Sequence, residues 1–155
     1  MRIWIGLVLA FLVCFAPNAL AAGDDSHFRQ IKGKTLKNLF IDKTVIAEYQ
    51  DINGGIKNYR FTEHHNADGT TDYIEAGEKT EKGLWKIIGQ DKICYKYPGN
   101  QVFTKTYCFF VYKDETCYYN YGVGSMTLKG PKNRDWWTSR FIIKGQGGSC
   151  EVPTS

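Results

Sequence analysis

The stretch Lys92-Ile93-Cys94-Tyr95-Lys96-Tyr97-Pro98-Gly99-Asn100-Gln101-Val102-Phe103-Thr104-Lys105-Thr106-Tyr107-Cys108-Phe109-Phe110-Val111 decides how this chain folds. In its first limb Ile93, Tyr95 and Tyr97 recur at every second position, with Cys94 and Lys96 between them, which is the period of a β-strand. Pro98-Gly99-Asn100 then turns the chain. On the return limb Phe103, Tyr107, Phe109 and Val111 share one face, and Cys108 and Phe110 share the other. A hairpin centred near Gln101 brings Cys94 opposite Cys108, so strand register and a crosslink support each other.

The same grammar extends outward. Upstream, Val45, Ala47 and Tyr49 alternate, Asn53-Gly54-Gly55 supplies residues that tolerate positive φ, and Tyr59 and Phe61 alternate again. Asn66-Ala67-Asp68-Gly69-Thr70 is the next turn. A short strand near Tyr73 to Glu75 follows, then one from Gly83 to Ile88 around Trp85, then a turn at Gly89-Gln90-Asp91. Downstream, Lys113-Asp114-Glu115 leads into a strand from Thr116 to Tyr121. After the Gly-rich stretch Gly122 to Gly130, Trp136 to Lys144 reads as a final strand. Near the other terminus, Thr35 to Phe40 forms a short helix that plugs one end. About eight short strands with loops too short for helical crossovers predict an all-β fold, a single antiparallel meander. Large aromatic residues favour its closure into a small, lipocalin-like barrel, closed or partly open, over a flat sheet with open edges.

The 155 residues are 43% hydrophobic, 15% aromatic and 23% charged, which excludes a disordered chain. A formal net charge of +4 is too small to imply nucleic acid as a partner. Met1-Arg2, the apolar run Ile3 to Ala16, the break at Pro17-Asn18 and the small residues Ala19 and Ala21 form a three-part export signal. Residues 1–21 are thus expected to be removed, leaving 22–155 as one domain. The apolar run is well short of the roughly 20 residues of a membrane-spanning helix, so no permanent anchor is expected after cleavage. Setting Cys14 aside with the leader leaves Cys94, Cys108, Cys117 and Cys150, an even set in a chain bound for the periplasm or the exterior, where disulfides are the default. Three pairings are possible, and the hairpin favours Cys94 with Cys108 and Cys117 with Cys150. Sequence gaps of 14, 9 and 33 do not match the closely paired ligands of structural zinc.

Asn66-Ala67-Asp68-Gly69-Thr70, then Gly83-Leu84-Trp85, then Ile93-Cys94-Tyr95 and Cys108, taken in that order, resemble a family of small exported bacterial proteins known only as a domain of unknown function. The resemblance spans roughly Gly33 to Tyr121. It implies a "D-G-T" turn before a "G-x-W" strand, with a cysteine on each of the two strands that follow. It carries no activity. The Gly-x-Trp strand with a later cysteine pair also resembles, more distantly, small periplasmic β-barrel inhibitors of secreted proteases, which insert an N-terminal arm into the protease cleft. Ala22 to Lys34 is polar enough for such an arm but holds no matching motif.

Candidate chemistry is sparse. His64-His65, flanked by Glu63 and Asp68, is a cluster of metal-capable side chains, but adjacent strand residues face opposite ways and a solvated loop accounts for them. His27 stands alone. No Gly-x-Ser-x-Gly elbow accompanies the histidines, and the acidic pairs Asp72 with Glu75 and Glu78 with Glu81 are ordinary for turns. The aromatic content says more. Trp136, Trp137, Tyr118, Tyr119 and Tyr121, with Tyr95, Tyr97 and Tyr112, offer more ring surface than one core needs. Alternation places one of each adjacent pair outside. Lys129, Lys132, Arg134 and Arg140 lie nearby and form a basic patch suited to an anionic polymer or an acidic protein. The expectation is an exported, non-catalytic binding module that needs no cofactor or metal and presents Trp136, Trp137, Tyr118, Tyr119 and Tyr121 to a protein or glycan of the envelope. The alternatives are a protease inhibitor working through Ala22 to Lys34 and an envelope hydrolase with a site assembled from distant residues.

Overall fold

A computed structural model describes residues 27–50, 56–75, 80–99 and 105–150, with 56–59 as backbone only. The leader and its cleavage point, Asn53-Gly54-Gly55, the Tyr59 side chain, Glu78 and the hairpin centre at Gln101 with Phe103 lie outside the described residues. The elements in chain order are β1 (Arg29–Ile31), α1 (Gly33–Phe40), β2 (Lys43–Gln50), β3 (Ile56–His65), β4 (Thr70–Glu75), β5 (Glu81–Ile88), β6 (Lys92–Lys96), β7 (Tyr107–Asp114), β8 (Cys117–Gly122), β9 (Met126–Thr127), β10 (Gly130–Pro131) and β11 (Ser139–Ile143).

From β2 to β8 each strand pairs antiparallel with the next. β11 then pairs with β8 on one side and β2 on the other, closing an eight-stranded barrel. Closure leaves no long free edge, which is why a chain with this many short strands favours it. One strand is additional. β1 lies along β7 at Val111 to Lys113, continuing the edge that β6 occupies at Tyr107 to Phe110. Three residues are too few to show a periodicity, so β1 was not visible in the sequence pattern. The central hairpin has the predicted register, with Cys94 opposite Cys108. Both crosslinks, Cys94–Cys108 and Cys117–Cys150, are formed.

Alternation assigns the two faces of the wall. Val45, Ala47, Phe61, Trp85, Ile93, Val111, Phe141 and Ile143 point inward and make one apolar core. The helix closes one end of it. Leu36 and Phe40, four residues apart and so on one helical face, are 0% and 1% exposed. The Gly33 N–H donates to the Gln90 carbonyl at 2.6 Å, fixing the start of α1 against the β5–β6 turn.

At this sealed end the Asn66–Thr70 turn and the Trp85 strand form one unit. The Trp85 backbone N–H donates to the Gly69 carbonyl at 2.8 Å, and its indole N–H to the Asn66 carbonyl at 2.9 Å. Gly69 adopts φ +89°, a left-handed conformation that glycine takes without strain.

The last strand is shorter than expected: it runs over Ser139–Ile143, not Trp136 to Lys144. The Asp135 N–H donates to the Asn133 side chain at 2.8 Å, and the Trp136 N–H to the Asn133 carbonyl at 3.2 Å. This asparagine-capped turn uses donors that a strand ladder would need. The Gly-rich stretch before it holds a 3-10 turn (Val123–Ser125) and the small β9–β10 hairpin.

Candidate functional site

Two aromatic assemblies flank the barrel wall. The outer one is built on β7 and β8, whose alternation sends Tyr112, Tyr119 and Tyr121 outward. Phe28 stacks on Tyr112 at 4.9 Å between ring centroids and meets Tyr121 edge-on at 6.3 Å. The segment from Gly122 to Thr138 folds over them. The Tyr121 hydroxyl donates to the Arg134 carbonyl at 2.6 Å, and the Arg134 guanidinium lies 4.4 Å above the Phe28 ring. Trp137 meets Tyr119 edge-on at 6.2 Å, with the Arg140 guanidinium 5.2 Å from its ring.

The five residues singled out from sequence therefore do not share one surface. Tyr118 points into the barrel and stacks on Phe141 at 5.1 Å. Tyr121 points outward but is covered to 1% exposure, and Tyr119 and Trp137 are half-buried. Trp136 alone of the five is open, at 54%. Because these two tryptophans sit in a turned segment, strand alternation does not explain their opposite fates; Trp137 is held by Tyr119 and Arg140, and Trp136 is not packed into that cluster.

The basic patch also needs correction. Arg140 is buried and donates to Glu48 at 2.5 Å, whereas Lys129, Lys132 and Arg134 are exposed. The described part of the presumed arm is built into the fold, since Phe28 is stacked, Arg29–Ile31 is a strand and α1 begins at Gly33.

The inner assembly was not recognised in the sequence. β3 carries Phe61, Glu63 and His65 on its inward face, so the histidine pair is split. His64 faces out and meets the Thr44 hydroxyl at 2.9 Å, while His65 is fully buried. The signal was present: extending the alternation of Phe61 by two and four residues reaches Glu63 and His65. Glu63 is 4% exposed and accepts from the Tyr97 hydroxyl at 2.7 Å and the Thr71 hydroxyl at 2.9 Å. Burial pushes its pKa up to about 7 in spite of those two donors. His65 Nε2 meets the Tyr95 hydroxyl at 2.9 Å, and burial lowers the His65 pKa to about 3, so the ring is neutral.

Above Glu63, Tyr49 stacks on Phe61 at 4.6 Å, Phe61 meets Tyr73 at 5.1 Å, and Tyr73 meets Tyr97 at 5.8 Å. Tyr73 donates to Glu75 at 2.8 Å. Space for Tyr97 comes from Gly83, where a Cβ would lie 2.6 Å from that ring and 2.8 Å from Thr71 Cγ2.

Two histidines thus touch hydroxyls at catalytic distance, but one contact is sealed in the core and the other lies on the outer wall. Neither is the enclosed, reachable nucleophile that a hydrolase needs. Among the described residues no three His, Cys, Asp or Glu side chains converge as metal ligands. No helix there is long and apolar enough to cross a membrane. No protein-family model, curated protein or solved structure matches this chain.

Proposed function

We propose that this protein is an exported, non-catalytic binding module that engages an anionic glycan or acidic protein of the bacterial envelope through the Gly122–Thr138 segment. The observation that carries this reading is Trp136, which keeps 54% of its surface exposed on a segment whose flanks are pinned. The Tyr121–Arg134 hydrogen bond holds one side, and the Tyr119–Trp137–Arg140 contacts hold the other. A large ring presented on a braced loop loses little conformational entropy on binding, which is the usual character of an interface anchor.

Its surroundings suit a negatively charged partner. Lys129, Lys132 and Arg134 are exposed on the same segment, against one acidic residue, Asp135. Leu128, fully exposed at the β9–β10 turn, adds apolar surface beside them. Export is supported by the leader-like N-terminus and by two crosslinks of the kind that persist in oxidising compartments.

The test is titration of the mature chain with heparin as a soluble anionic glycan probe, alongside quantitative capture of acidic envelope proteins. Trp136→Ala should weaken the responsive interaction about tenfold, the scale of one anchor residue, while Lys129→Glu with Lys132→Glu should reduce it and flatten its salt dependence. Unchanged binding by both variants would remove the reading.

A further inference from the structure

We propose that the barrel end opposite α1 is a binding site for a small organic cation, an ammonium or guanidinium group on an apolar stem. The inward residues there combine two chemistries. Tyr49, Phe61, Tyr73 and Tyr97 form a continuous arc of ring contacts at 4.6, 5.1 and 5.8 Å. Three carboxylates are interleaved with them. Glu63 and Glu75 face in from β3 and β4, and Glu81 does so from β5, opposite Tyr73 in the strand register. Tyr49 lies in the field of all three, which adds to its burial in pushing the phenol pKa up to about 12.

Among the described residues no Lys or Arg faces inward at this end. Lys82 and Lys96 alternate outward, and Lys82 pairs with Asp72 on the outer wall. Among the described residues this interior pairs π faces with carboxylates and holds no cation, an arrangement that attracts a cationic guest through cation–π contact and charge pairing in a poorly screened space. The carboxylates are separated by rings and do not converge, which favours an extended organic cation over a metal ion.

A second observation comes from the opposite wall. Asn120 is 7% exposed, its amide N–H donates to the Ser139 hydroxyl at 3.0 Å, and its side-chain carbonyl oxygen is buried without a partner. Ser139 pairs with Tyr49 across the β11–β2 ladder, so this acceptor opens on the same inner face as the ring arc. A buried acceptor lacking a donor is costly, and an N–H-bearing guest would relieve that cost.

Access follows the exposure gradient. Leu36 and Phe40 seal the far end, whereas Tyr49, Tyr73, Glu75, Glu81 and Tyr97 are all partly exposed and Phe61 and Glu63 beneath them are buried. A guest would therefore enter past the tyrosines and stop above Glu63.

The experiment is calorimetric titration of the mature chain with benzyltrimethylammonium and with agmatine, each against a neutral partner of similar shape, neopentylbenzene derivatives bearing a hydroxyl for the first and 1,5-pentanediol for the second. Saturable binding of at least one cation, at least tenfold tighter than its neutral partner, is expected. Glu75→Gln, at a partly exposed position, and Glu63→Gln should each weaken it at least fivefold, and Asn120→Leu should weaken agmatine more than the ammonium, which has no N–H. Asp135→Asn, on the outer segment, should leave it unchanged. Near-UV circular dichroism reports that each variant keeps its packing. Absence of saturable binding by both cations, equal binding of the neutral partners, or indifference to both glutamate substitutions would overturn the proposal.

Discussion

The two ends of the barrel are lined by opposite chemistries. At the α1 end, Phe40 packs against Trp85, Phe141 and the neutral ring of His65 with Leu36 in the same core, and the indole of Trp85 ties itself to the Asn66–Thr70 turn. At the other end the inward positions are tyrosines and glutamates held by mutual hydrogen bonds. The first arrangement maximises apolar burial, the main favourable term in folding. The second forgoes that gain and accepts the cost of burying a carboxylate, which is the usual mark of a site selected for something other than stability.

Several substitutions separate these roles. Phe40→Ala should be the most damaging: it empties a site that is 1% exposed at the centre of the plug. A loss of about 3–5 kcal/mol is expected for deleting a buried Phe side chain. Urea denaturation measures it, and a loss below about 1 kcal/mol would mean that the helix is not what seals the barrel. Opening the Cys117–Cys150 crosslink by paired Cys→Ser substitution comes next. It ties the segment after β11 back to the start of β8 over a sequence separation of 33. The chain-entropy treatment puts this at about 4 kcal/mol as an upper value, read as the shift in thermal midpoint with and without the bridge.

The third prediction turns on sign. The folded pKa of Glu63, about 7, lies above its ordinary value of 4.5 because burial disfavours the charge. The native state therefore holds a proton that the unfolded chain releases between those values, and stability falls as pH rises through that window. Glu63→Gln should be close to neutral at pH 4 and stabilising by about 2 kcal/mol at pH 8, allowing for relaxation around the site. His65 works the other way. Its folded pKa of about 3 lies below the ordinary 6.5, so stability declines as pH falls below about 6.5. Together they predict maximal stability for the native chain between about pH 4.5 and 6.5. Because the two slopes offset each other on that plateau, the variant separates them: a Glu63→Gln chain whose stability relative to the native one is no greater at pH 8 than at pH 4 would contradict the buried placement of Glu63.

Much of the sealed end and little of the open end was legible in the sequence. The closed meander follows from the alternation of Ile93, Tyr95 and Tyr97, from turn signals such as Asn66 to Thr70, and from the parity that puts Cys94 and Cys108 on one face. The run Thr35 to Phe40 marked a short helical plug, and the structure shows that Leu36 and Phe40 are its buried face. Glu63 and His65 were hidden because a charged or titratable residue beside a turn normally belongs to solvent, and only tertiary closure shows that the strand continues through them. Trp136 and Trp137 misled for the converse reason: bulky rings suggest a strand, but Asn133 and Asp135 form a side-chain-capped turn that local propensity alone underweights. The covering of Tyr121 by Phe28 depends on a contact across more than 90 positions of sequence, which no periodicity reports.

The smallest effect is expected at the open end itself. Tyr73→Phe keeps the ring contacts with Phe61 and Tyr97 and removes only the hydroxyl that donates to Glu75 at 2.8 Å. Both residues are partly exposed, so water replaces the lost donor, and the expected change in stability is about 0.5–1 kcal/mol. The same substitution leaves the π face but frees the Glu75 carboxylate to rotate, so it should disturb placement of a bound cation more than it disturbs folding. If unfolding instead shows a loss near that of Phe40→Ala, the tyrosine–glutamate pairs are a second structural closure, and the contrast between the ends disappears. If stability barely moves while the calorimetric response to agmatine changes, the open end contributes little to holding the barrel together and its polar chemistry is directed at a guest.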